Sequence, residues 1–255
     1  MSWDPAQYLK FSGERLRPAL DLLARVPAAA PRAVVDLGCG AGNLMPLLRQ
    51  RWPQARLSGV DASPQMLAKA RADYPQDEFV EADVGAWRPA QAVDVLYSNA
   101  TLHWLDGHES LFPRLLEAVA PGGWLAVQMP RNFGAPSHRG VRDTIRAGPW
   151  RARLEPHLRA SPMAEPNFYW RVLSSKAASL DIWETEYLQV LRGENPVAEF
   201  VKGSWLKPFL DRLQEPERSA FETDYRARTA AAYRPEADGS TLFPFRRLFI
   251  VARKG

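Results

Sequence analysis

An apolar run that ends in an acid and then breaks into alternate glycines, Val34-Val35-Asp36-Leu37-Gly38-Cys39-Gly40-Ala41-Gly42-Asn43, narrows the architectures open to this chain. Ala33 to Leu37 reads as a short buried strand. Glycines at every second position beyond it let the backbone turn sharply and approach a ligand that a Cβ would exclude. A helix from about Asn43 to Arg51, with Leu44, Leu47 and Leu48 on one face, follows. Strand, glycine turn and helix in that order place a ligand at the strand's carboxyl end.

The same alternation continues downstream. Arg56 to Val60 is a second strand ending at Asp61, and Ser63-Pro64 caps a helix holding Met66, Leu67 and Ala70. Glu78 to Ala82 and Val93 to Ser98 are further strands; Leu111 to Val119 is an amphipathic helix, and Trp124 to Met129 is a fifth strand after the turn Pro121-Gly122-Gly123. Strands alternating with helices predict right-handed crossovers and a doubly wound α/β fold, with a parallel sheet covered on both faces. Upstream, residues 4 to 26 read as helical, from the Asp4-Pro5 cap through Leu16, Leu20, Leu23 and Val26. The predicted organisation is an N-terminal helical arm (1–30) over a cofactor site, a binding core (31–130), cap insertions (131–178 and 191–242), and C-terminal strands of the core sheet (179–190 and 243–255).

A dinucleotide-binding turn reads Gly-x-Gly-x-x-Gly and holds a pyrophosphate on the helix N-terminus. Here the spacing is Gly-x-Gly-x-Gly with Asp36 two residues ahead, and a carboxylate there suits a cationic amino-acid ligand better than a pyrophosphate. This favours S-adenosylmethionine over NAD. Asp61, about 20 residues beyond the turn, is placed to accept both ribose hydroxyls of a nucleoside. Asp83, after the third strand, is placed to accept from an adenine amino group. Any one of the three acids is as readily a cap or a solvated turn residue; their recurrence at successive strand ends points to a nucleoside site.

These residues resemble the motifs of class I S-adenosylmethionine-dependent methyltransferases. More narrowly, the chain is similar to the trans-aconitate methyltransferase family through Trp3-Asp4-Pro5 with Tyr8 and Phe11, Glu14-Arg15-Leu16-Arg17-Pro18, Asp36 to Gly40, Phe79 to Asp83, Gln128-Met129-Pro130 and Arg247 to Arg253. His103 and Arg131 depart from that pattern, standing where Gln and Asp are expected. The resemblance implies a Rossmann-like, mostly parallel seven-stranded sheet with its last strand antiparallel and helical cap insertions. It implies an O-methyltransferase that forms the monomethyl ester of trans-aconitate or a similar small polycarboxylate, releasing S-adenosylhomocysteine. Carried over by position, Arg17, Asp36, Gly38, Gly40, Asp61, Ala62, Met66, Asp83, Val84 and Asn99 bind the cofactor.

An ionised carboxylate, with a reference pKa near ~4, needs no general base at neutral pH, so no catalytic acid or base is expected. Cations hold the carboxylates that do not react; the candidates are Arg131, Arg171 and Arg246, with Lys202 and Lys207 beside them. Arg15 or Arg17 is placed to meet the methionine carboxylate, and Trp3, Tyr8 and Trp104 to wall the cavity, with Tyr8 and Trp104 against the substrate. His103 stands beside Trp104 near the methyl site. His103, His108, His138 and His157 lack metal-ligand spacing, and Cys39 is the single cysteine, so neither a metal nor a disulfide is expected.

The charge of +4, from 33 basic and 29 acidic residues, is spread without a basic block, which argues against nucleic acid. No apolar run spans a bilayer and Met1 to Pro5 is no signal peptide, so a cytoplasmic protein without membrane contact, a monomer or weak homo-oligomer, is expected. Other readings stay open: a methyltransferase for another small-molecule or acyl carboxylate, a NAD-dependent oxidoreductase, or a non-catalytic S-adenosylmethionine-binding protein.

Overall fold

The computed structural model describes residues 12–255, with side chains from Leu16 onward. Its centre is a seven-stranded sheet in the order β3-β2-β1-β4-β5-β7-β6. The strands are β1 (Ala33–Leu37), β2 (Arg56–Asp61), β3 (Glu78–Glu81), β4 (Val93–Asn99), β5 (Val119–Pro130), β6 (Ala177–Leu191) and β7 (Thr241–Lys254). β1 to β5 pair in parallel, and β7 runs antiparallel to β5. Central strands read as unbroken apolar runs because helices cover both faces of a parallel sheet. Accordingly Val34, Val35, Leu37, Val95, Leu96, Leu125, Ala126 and Val127 are all buried.

The chain divides into two compact units. The larger holds Leu16–Pro130, Pro162–Thr185 and Arg247–Gly255. In it, helix α1 (Ser12–Ala24) buries Ala19, Leu22 and Leu23, followed by Val26 beyond its end. Leu20, expected on the inner face, is 42% exposed, because the buried stripe follows the 19, 22, 23, 26 set. The Tyr97 hydroxyl of β4 donates to the Ala19 carbonyl at 2.6 Å and ties this helix to the sheet. Helix α2 (Met45–Arg51) starts two residues later than expected and buries Met45 and Leu48. The earlier residues are taken up by the turn, where Met45 N bonds to Gly42 O at 2.9 Å. Helix α3 (Pro64–Asp73) begins as read, with Ser63 Oγ accepting from Met66 N at 3.4 Å.

Pro121-Gly122-Gly123 does not end a helix. It lies inside β5, where pairing with β4 jumps from Val93↔Val119 to Val95↔Trp124, a bulge. A Cβ on Gly123 would lie 2.6 Å from the Asp94 carbonyl, so the bulge admits only glycine there. Helix α4 (His108–Glu117) precedes β5.

The smaller unit holds Arg131–Ser161 and Glu186–Arg246. The expected insertion 131–178 is therefore split, with residues 162–178 in the sheet-bearing unit. There Tyr169 of helix α7 (Pro166–Leu173) packs on Phe112 of α4, with ring centroids 4.8 Å apart. Helix α5 (Pro136–Ala147), which the short α6 (Arg151–Leu154) follows, and a later helix, Glu217–Ala232, face each other in the smaller unit, with the Tyr225 hydroxyl donating to the Ser137 carbonyl at 3.2 Å. Between Pro196 and Leu210 the helical stretch carries a π turn, Lys202–Leu206, just ahead of Pro208. A proline there has no N–H for the regular helical ladder. Among the described residues no helix is long and apolar enough to cross a membrane.

Candidate active site

The β1 turn is pinned to β2 from three directions. Gly38 N and Cys39 N both donate to the Val60 carbonyl, at 2.7 and 3.0 Å. The Asp61 carboxylate then spans the gap, accepting from Gly40 N through Oδ2 and from Ser63 N through Oδ1, each at 2.9 Å. Each carboxylate oxygen keeps a second lone pair, so the acid that knots two turns together can still accept from a diol.

The glycines of the turn serve different ends. Gly38 has φ +82°, and a Cβ on it would lie 2.1 Å from the Thr101 side chain. Gly42 has φ +76°, and a Cβ on it would lie 3.0 Å from the Tyr74 ring. Gly40, φ +55°, has no atom of the described residues within 4 Å of where a Cβ would stand. Open space over one glycine of an otherwise packed turn leaves its backbone within reach of a ligand.

Asp36 sits in β1 and is 1% exposed. Its Oδ2 is buried without a hydrogen-bond partner. Burial, with the charge of Asp61 adding to it, pushes its carboxyl up to about 7. A nearby cation would reverse that penalty. Asn99, the last residue of β4, likewise buries its Oδ1 without a partner. The next residue, Ala100, has φ +55°, a left-handed conformation unfavourable for alanine. Cys39 is buried; burial first, then the charges of Asp36 and Asp61, raise its thiol pKa, which removes it as a nucleophile.

Beyond β4 a short 3-10 turn, Leu102–Trp104, carries His103 and Trp104, whose ring centroids are 4.6 Å apart. His108 secures this turn. Its Nε2 lies 3.0 Å from the Leu102 carbonyl, and its Nδ1 lies 2.7 Å from the Tyr169 hydroxyl. A carbonyl only accepts, so Nε2 carries the hydrogen and Nδ1 accepts from Tyr169. Burial lowers the pKa of His108, in keeping with this neutral form.

Asp36, Gly38, Gly40 and Asp61 thus converge, with Thr101 packed beneath Gly38 and Asn99 at the end of the adjoining strand β4. Met66 is half-buried on α3 and Ala62 is exposed between Asp61 and Ser63; Val84 is buried. Asp83 is exposed, and one of its oxygens already accepts from Gly85 N at 2.8 Å. Arg17 and Arg171 are exposed. In the smaller unit Arg131 and Arg246 are neighbours: Arg131 N donates to the Arg246 carbonyl at 2.9 Å, and Asn132 bonds to both main-chain groups of Arg246. The Arg246 side chain pairs with Glu186 at 3.6 Å. Lys202 pairs with Glu222 at 2.5 Å and Lys207 with Asp211 at 3.1 Å. Trp3 and Tyr8, and the side chain of Arg15, lie outside the described residues. Sequence reasoning missed Thr101 and the His108–Tyr169 bond, since neither sits in a spacing pattern. Among the described residues no three His, Cys, Asp or Glu side chains gather as a metal site.

A methyltransferase-domain family model matches residues 34–123, the stretch that carries the knotted turns. The Bacillus subtilis YcgJ protein shares the fold, with a TM-score of 0.60 at 13% identity over 93% of this chain and 98% of that one. Much nearer in sequence is the trans-aconitate 2-methyltransferase of Azoarcus sp. (strain BH72), 49% identical over 98% of both chains. The protein of the same name from Methylobacterium nodulans is also 49% identical, over 99% of this chain and 98% of its own. With that identity sustained along the whole length, this chain belongs to the trans-aconitate 2-methyltransferase family.

Proposed function

We propose that the protein transfers the methyl group of S-adenosylmethionine to one carboxylate of trans-aconitate, or of a similar small polycarboxylate, giving a monomethyl ester. The observation that carries this reading is the open space over Gly40 beside Asp61 and the sealed, partnerless oxygen of Asp36. This donor set fits an adenosyl amino acid: Asp36 for the cationic methionine end, the free lone pairs of Asp61 for the ribose hydroxyls, and Ala62, Met66 and Val84 around the base. Asp83 has its second oxygen left for the adenine amino group. Gly38 and Asn99 complete the methionine side, and Arg17 is assigned to its carboxylate. When bound, the cofactor supplies an electrophilic methyl carbon on a sulfonium.

The chain's own contribution is to hold the acceptor in line and keep water out; orientation of this kind supplies up to roughly 7–11 kcal/mol of a barrier. An acceptor carboxylate is already ionised at neutral pH and has no proton to lose. His103 and Trp104, fixed through His108, are assigned to orienting the acceptor, with Tyr8 from the arm. Arg131, Arg171 and Arg246 are assigned to the carboxylates that do not react, since a cation pressed on the attacking oxygen would blunt it. We place the reaction in the cytoplasm, on the strength of the single cysteine.

Mass spectrometry of trans-aconitate incubated with the protein and S-adenosylmethionine tests this. One added methyl group, removed again by mild alkali as an ester should be, is the expected result. No product from a protein that still binds S-adenosylhomocysteine would move the search to other acids.

A further inference from the structure

The order of strands carries an inference about where the acceptor is gripped. The groups assigned to the cofactor run along the sheet from β3 through β2 and β1 to Asn99 at the end of β4, and the sheet continues next into β5 and β7. An acceptor in line with the methyl carbon lies in that direction. There Asn99 of β4 is the register partner of Gln128 of β5, and antiparallel β7 places Arg247 opposite Pro130 and Phe249 opposite Gln128. Side chains of paired residues, and of residues two apart, share a face of the sheet. Since Asp36 is opposite Tyr97, two residues before Asn99, the polar groups of Asp36, Asn99, Gln128 and Arg247 all project from one face.

We propose that Gln128, held by Arg247, is a specificity-determining residue that donates from its side-chain amide to a carboxylate oxygen of the methyl acceptor. Gln128 is fully buried and Arg247 is 3% exposed. Arg247 Nη1 donates to Gln128 Oε1 at 3.4 Å. A guanidinium has only donors, so it can be met only by the amide oxygen; this settles which way the amide faces and turns Nε2 away from Arg247. Gln128 Nε2 is buried and has no acceptor. Its main chain is not at fault, since the Gln128 carbonyl accepts from Ala100 N at 2.9 Å.

A buried amide N–H₂ without an acceptor is costly, and few persist without a purpose. An oxygen from the substrate would complete this one. The nearby guanidinium selects an anionic oxygen over a neutral carbonyl. The grip falls on a carboxylate other than the attacking one, so that nucleophilicity is preserved. This assignment rests on the methyltransferase reading above, and it explains how a substrate with several carboxylates would be preferred to one with a single carboxylate.

The test compares Gln128→Glu, which keeps the shape but replaces the donor with an acceptor, and Gln128→Met, which keeps the volume. S-adenosylhomocysteine affinity by calorimetry serves as the check on folding and should stay within about twofold of wild type. Binding of trans-aconitate to the protein saturated with S-adenosylhomocysteine, which needs no turnover, should weaken about ten- to a hundredfold in both variants, the range of one charge-assisted hydrogen bond. The KM should rise in step, with kcat less affected. Unchanged trans-aconitate binding in either folded variant would overturn the proposal. Should neither variant fold, a crystal structure of wild type with S-adenosylhomocysteine and trans-aconitate decides: a carboxylate oxygen within hydrogen-bonding reach of Gln128 Nε2 supports the assignment, and its absence refutes it. Lack of a methyl ester from wild type that binds both ligands would count against the reaction, whereas unaltered binding in the variants counts against Gln128 alone.

Discussion

Asp36 is the residue on which burial bears hardest. Its carboxyl titrates at about 7, against 3.8 when unperturbed. Between those values the native state holds a proton that the unfolded chain has lost, so stability falls as pH rises through this window and levels off above about 7. Roughly three units at about 1.4 kcal/mol each put a ceiling near 4 kcal/mol on the effect. Asp36→Asn should flatten this part of the melting-temperature profile of the ligand-free protein and leave the variant the more stable of the two at pH above 7. An equally steep decline in the variant would mean that other groups cause it. The same argument has wild type releasing a proton on binding a cationic ligand below pH 7, and the variant not.

At the scale of elements, the turn after β1 divides its work between two glycines. Gly38→Ala drives a Cβ into Thr101 at a positive φ and should cost about 1–3 kcal/mol in denaturant unfolding. Gly40→Ala meets no atom of the described residues, so its stability cost should be confined to the φ penalty, about 1–2 kcal/mol, while S-adenosylhomocysteine affinity falls at least as far. Calorimetry and unfolding curves on both variants separate the two roles; equal losses of affinity would erase the distinction. This division was partly legible. Spacing placed β1 at its observed bounds and read Asp61 at the end of β2, because a buried parallel strand leaves an apolar run with a polar end. It was silent on Gly38 against Gly40, since the difference comes from Thr101, sixty-three residues away. It also read Pro121-Gly122-Gly123 as a turn, because glycine at positive φ serves bulges and turns alike. The pairing of Arg247 with Gln128 spans 119 residues, and local pattern cannot reach it.

For the whole molecule, the nucleoside reading makes a prediction that a dinucleotide reading does not. S-adenosylhomocysteine at about a hundredfold over its dissociation constant should add roughly 2.7 kcal/mol to native stability, visible as a rise in melting temperature, with NAD leaving it unmoved. A larger shift with NAD would restore the oxidoreductase. The seven-stranded sheet with its antiparallel last strand was foreseen through family likeness, whereas alternation alone gave only the parallel part, β1 to β5, and neither gave the strand order. The division into two units was hidden because it depends on where α7 packs, and a helix's partner is not written in its own periodicity.

The placement of β7 between β5 and β6 also bears on how the chain assembles. Among β1 to β5, three of the four pairings join strands consecutive in the chain, and only β4 reaches back past two strands to find β1. β6 comes earlier in the chain than the strand it must lie against. Until that later ribbon slots in, β5 presents a bare row of amides and carbonyls, and β6 waits without a companion, so two strands stay open to mispairing until a single antiparallel segment is inserted.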